Sequence, residues 1–88
     1  MSIDRFDYEL IPSSTMSSLM AYMEDHRPTG HFLRMFLSNN LAEALRWGDD
    51  GNLTALVQIF TFCYNNLPAE CWGSERAVDE WISARKET

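Results

Sequence analysis

The side chains of this sequence best suited to metal or nucleophilic chemistry are two histidines and two cysteines. His26 and His31 stand on either side of the loop Arg27-Pro28-Thr29-Gly30, where two imidazoles could share a metal ion. Neither has an acid or a cysteine at the spacing of a zinc ligand set, so no metal site is expected. Cys71 beside a histidine would make a thiolate–imidazolium pair, but nothing in the spacing brings them together. Cys63 falls on an apolar stretch and reads as a small hydrophobe. A bridge between the cysteines is geometrically conceivable. Two cysteines do not make a disulfide framework, however, and nothing else indicates an oxidising compartment, so both are read as thiols. The acid pairs Glu24-Asp25, Asp49-Asp50 and Asp79-Glu80 could act as general acid and base only in a cleft that raises one pKa. They fall instead at helix ends or on a solvated face. Asp49-Asp50-Gly51-Asn52 superficially resembles a calcium loop but lacks the alternating oxygen ligands and the closing glutamate. No glycine-rich phosphate loop is present. The expectation is a protein that is not an enzyme and needs no cofactor.

The elements that carry these residues are organised around Asn52–Leu67, NLTALVQIFTFCYNNL, a stretch without a charged residue. On a wheel of about 100° per residue, its apolar side chains, Val57, Phe60 and Tyr64 among them, cover more than half of the circumference. Thr54, Gln58, Thr61 and Asn65 form a narrow polar stripe. A helix so apolar around its girth wants neighbours on several sides, which predicts the central helix of a small bundle. Asn52 is placed to cap it, and Pro68 to stop it.

Ahead of it, residues 3–11 alternate, with Phe6, Tyr8 and Leu10 on one side and Arg5, Asp7 and Glu9 on the other. Period two predicts an extended segment with one buried face. No second strand is available to pair with it. It either lies across the helices as a clamp or pairs with its copy in a second chain; the clamp is preferred. Pro12 followed by Ser13, Ser14 and Thr15 starts a helix, and Met16, Leu19, Met20 and Met23 recur at amphipathic spacing. Three methionines on one face can form a pliable groove, but filling a core is the simpler reading. This helix should end near His26, before Pro28 and Gly30. Phe32, Leu33, Phe36 and Leu37 give a short apolar helix, interrupted at Asn39-Asn40. Asn40 with Glu43 has capping-box spacing and would open a third helix, with Leu41, Ala44 and Leu45 inward and Gly48 closing it; two helices or one kinked helix both fit. Ser74 caps a last helix in which Val78, Trp81 and Ile82 face inward, with Arg85 and Lys86 in its final turn, where positive charge is favoured. The fold class is all-α. Residues 1–88 form one domain, an extended segment over 1–11 and a bundle of four to five short helices over 12–86.

The totals agree with that architecture. A chain of 88 residues with 45% hydrophobic residues can build one modest core. No apolar run is long enough to span a bilayer, and the N-terminus lacks the basic-then-apolar pattern of a signal peptide. A soluble, cytoplasmic protein is expected. Thirteen acids against seven bases give a net charge of −6. This disfavours direct nucleic-acid binding and favours solubility, or encounter with a basic protein partner.

Function must then lie on the surface. The uncharged stripe Thr54, Gln58, Thr61 and Asn65 suits an interface core, which is depleted in charge, unless another part of the chain covers it. Trp72, in the linker before the last helix, is the tryptophan expected to face a partner. Asp49, Asp50, Asp79 and Glu80 are the acids that would meet a basic one.

The run LPAECWGSERAVDEWI resembles a segment of small bacteriophage and prophage proteins. These also carry an I-P-x-x-T start, here Ile11 to Thr15; a P-x-G-x-F-L segment, here Pro28 to Leu33; and Y-N-x-x-P before C-W-G-S, here Tyr64 to Pro68 and Cys71 to Ser74. The resemblance covers roughly Ile11 to Ile82. It implies a phage origin and a bacterial host cytoplasm, and it carries no functional residues with it. The expected function is a non-enzymatic inhibitor or modulator of a host protein, with counter-defence of an anti-CRISPR or anti-restriction kind as one form. The alternative is a self-assembling, dimeric accessory protein.

Overall fold

The computed structural model describes residues 8–84, and these contain six α-helices, two 3₁₀ turns and no strand. The expectations for residues 3–7, and for Arg85 and Lys86, lie outside the described residues. The all-α class holds, with one helix more than expected. No helix among the described residues is long and apolar enough to cross a membrane.

The first described residues, Tyr8–Leu10, form a 3₁₀ turn rather than an extended segment. Tyr8 packs edge-on against Phe62 at 5.3 Å, and its hydroxyl accepts a hydrogen bond from Asn65 Nδ2 at 3.1 Å. Leu10, predicted on the same buried side, is exposed. Closing the turn through Ile11 N–H to Tyr8 O rotates successive side chains by about 120° instead of 180°, so Tyr8 and Ile11 go inward and Leu10 goes out.

Helix α1 spans Ser13–Asp25 and buries Thr15, Leu19 and Tyr22, with the three methionines only partly buried beside them. The buried face is thus turned about a quarter of a revolution away from the methionine stripe. Tyr22 draws it there, because its hydroxyl reaches across the core to the carbonyl of Cys71 at 2.6 Å. The helix ends at His26 in a left-handed conformation, φ 58°. The His26 ring stacks on Trp81 at 3.9 Å, with Nδ1 at 2.7 Å from the Trp81 carbonyl. The indole N–H of Trp81 in turn donates to the Tyr22 carbonyl at 2.6 Å.

Two separate helices follow, α2 over His31–Leu37 and α3 over Leu41–Trp47. Asn39 takes the left-handed conformation that ends α2. Asn40 caps α3 by accepting the Glu43 N–H. The box is half formed, because the Glu43 carboxylate instead accepts the indole N–H of Trp47. At Gly48 a Cβ would lie 2.8 Å from Leu53 and 2.9 Å from Phe32, so any larger residue would have to push these side chains aside at the end of α3.

The central stretch is not one helix. Asp50–Thr54 forms α4, and Leu56–Asn66 forms α5, with fully buried Ala55 between them. Asp49 is the cap, accepting the Asn52 N–H at 2.9 Å. Asn52, expected in that role, is engaged elsewhere: its side-chain oxygen accepts the Thr15 hydroxyl of α1. That bond and the Leu53 contact under Gly48 hold α4 toward α1–α3. The chain must turn at Ala55 before α5 can run through the core.

Pro68 starts a 3₁₀ turn over Ala69–Cys71, and Ser74 caps α6, Glu75–Ser83, by accepting the Ala77 N–H. Val78 is buried, with Trp81 and Ile82 half-buried against the core, as predicted. An Arg34–Asp79 ion pair joins α2 to α6.

Candidate interaction surface

Helix α5 faces the core with Ile59, Phe62 and Cys63 and leaves Val57, Phe60 and Tyr64 outside, 51%, 44% and 60% exposed. These three lie at i, i+3 and i+7, one above another on one helix face. Phe60 and Tyr64 stack at 6.0 Å. Helix α3 buries Ala44 as expected, but Leu41 and Leu45, expected to face inward with it, are exposed, because a seven-residue helix packs only one narrow face; Leu41 lies beside Phe60. Phe36 forms the floor between the two helices. Between α3 and α5 lies a groove of two adjoining hollows, about 220 and 230 Å³, which share Phe36, Leu41 and Phe60; Tyr64 and Leu45 lie outside its lining. Neither hollow is lined by a charged side chain.

The linker closes one end of the groove, and each residue of Cys71-Trp72-Gly73-Ser74 has a distinct part in this. Cys71 is fully buried and anchors the segment. Trp72 is half-buried and meets Phe60 edge-on at 5.8 Å. Gly73, at φ 107°, adopts a backbone that other residues rarely reach, and its N–H donates to the Leu37 carbonyl at 2.7 Å. Ser74 then caps α6. The indole is therefore held as a wall of the groove by anchors on both sides.

No protein-family model, curated protein or solved structure matches the chain.

The polar stripe of α5 does not form one surface. Thr61 is buried, and its hydroxyl donates back to the Val57 carbonyl at 2.8 Å. Gln58 is partly buried, and its side-chain oxygen has no hydrogen-bond partner among the described residues. Asn65 is exposed but bonded to Tyr8, and Thr54 is exposed on α4. Asp49 and Asp50 are both exposed, the former as the α4 cap. Asp79 is paired with Arg34, and Glu80 with Arg76 at 3.0 Å. Of these residues, only Trp72 lines the groove. Val57, Phe60 and Tyr64 were placed in the sequence within the arc that wants neighbours; among the described residues Phe60 meets Trp72, and all three side chains stay exposed.

The chemistry-bearing side chains are committed elsewhere. Burial, followed by the neighbouring Cys71, pushes the Cys63 thiol up to about 12; burial, followed by Glu70, pushes Cys71 to about 11. Both thiols stay protonated and covered near neutral pH, which is unsuited to a nucleophile. Burial likewise raises the Tyr22 hydroxyl well above its ordinary range. His31 packs edge-on against exposed Trp47 at 4.6 Å. The two line a shallow polar hollow of about 310 Å³ together with Ser14, Thr15, Ser18 and Asn52. No group of three His, Cys, Asp or Glu side chains converges among the described residues.

Proposed function

We propose that the protein is a non-enzymatic binding module, an inhibitor or modulator that docks a partner protein on the α3–α5 groove. One observation carries the reading: Val57 and Phe60 of α5 and Leu41 of α3 stand exposed around two adjoining hollows with no charged side chain in their lining, and exposed Tyr64 continues the same α5 face. Exposed apolar surface rimmed by polar residues is characteristic of protein interfaces. Aromatic side chains in a partly desolvated hollow are the usual energetic anchors. The protonated, covered thiols support a role without covalent chemistry. The net charge of −6 supports a basic partner. The resemblance of the C-W-G-S region to small phage proteins supports a host protein in the bacterial cytoplasm as the target, with counter-defence as the purpose. A dimer formed through the same apolar face is the second reading.

The test compares tagged wild-type protein with Phe60→Asp in pull-downs from bacterial lysate, alongside light scattering of each. A stoichiometric protein held by the wild type and lost by the variant is the expected result. A wild-type dimer that Phe60→Asp converts to monomer, with no captured protein, assigns the groove to self-assembly instead.

A further inference from the structure

We draw no further inference here: the strongest candidate, the apolar groove between α3 and α5 lined by Phe36, Leu41, Val57, Phe60 and Trp72, is the surface already described, and nothing in the structure shows what covers it.

Discussion

Phe60 and Phe62 lie two positions apart on one apolar helix, and the structure gives them opposite duties. Phe62 is 7% exposed and meets Tyr8 edge-on, whereas Phe60 is 44% exposed. Truncating Phe62 to Ala removes a buried ring and leaves a cavity, at a cost of about 3–5 kcal/mol. Full burial of a Phe is worth about 1.5–3 kcal/mol, and roughly half of the Phe60 ring is covered. Adding part of its ring contacts with Trp72 and Tyr64, Phe60→Ala should cost about 1–1.5 kcal/mol. The assay is urea unfolding followed by far-ultraviolet circular dichroism, with the slope checked so that midpoints can be compared. A domain of this size shifts its melting temperature by about 4–8 °C per kcal/mol, so the two variants should separate clearly in a thermal scan as well. Aspartate sharpens the contrast. Phe60→Asp places its charge in water and should keep a cooperative transition, whereas Phe62→Asp buries an unpaired carboxylate and should not fold. Equal losses for the two alanine variants, or an unfolded Phe60→Asp protein, would show that Phe60 is core and would refute the groove.

Alkaline pH should destabilise the protein under reducing conditions. The unfolded chain loses its thiol protons around pH 9.0, while folded Cys63 and Cys71 hold theirs to about 12 and 11. The folded state therefore binds more protons above pH 9, and stability should fall by about 1.4 kcal/mol per pH unit for each thiol. Urea midpoints that stay flat from pH 8 to 10.5, or a slope that Cys63→Ala leaves undiminished, would contradict this. Tyr22→Phe leaves the Cys71 carbonyl without its buried donor and should cost about 1–3 kcal/mol, measured by the same unfolding curves; no loss would mean the carbonyl finds another partner. Gly73→Ala forces a side chain onto φ 107° and should destabilise by about 1 kcal/mol or more, with a change in Trp72 emission as the groove wall moves. A silent substitution there would remove the reason given for glycine in C-W-G-S.

The parts of the fold that were legible in the sequence are those decided within a few residues. Asn40 and Ser74 were read as caps because each accepts a backbone N–H of its own helix's first turn; Gly48 ends α3 as read, but with extended backbone, and its small size serves the approach of Leu53 and Phe32. Where two local solutions compete, tertiary contact chooses between them. Asp49 and Asn52 can both cap the central stretch; Thr15 takes the side chain of Asn52, so the cap falls to Asp49 and the helix starts earlier. Tyr22 draws α1 away from its methionine stripe because its hydroxyl needs an acceptor in the core, and that acceptor is a carbonyl in a linker far along the chain. The surface was misplaced for a related reason. Thr61 and Asn65 are polar, but one hydroxyl bonds its own helix and one amide bonds Tyr8, so neither depends on water. Polarity shows that a side chain needs a hydrogen bond; it does not show that the side chain is wet. The converse holds for Val57, Phe60 and Tyr64. An arc covering more than half of α5 exceeds the stripe of roughly 100° that a surface helix normally buries. Helices of 5 to 13 residues offer too little surface to cover all of it. The arc shows that apolar surface is left over without showing which side stays open. That side depends on where α3 and the Trp72 wall stop, and those stops are fixed by Asn39, Gly48 and Gly73, which lie outside the helix that carries the groove.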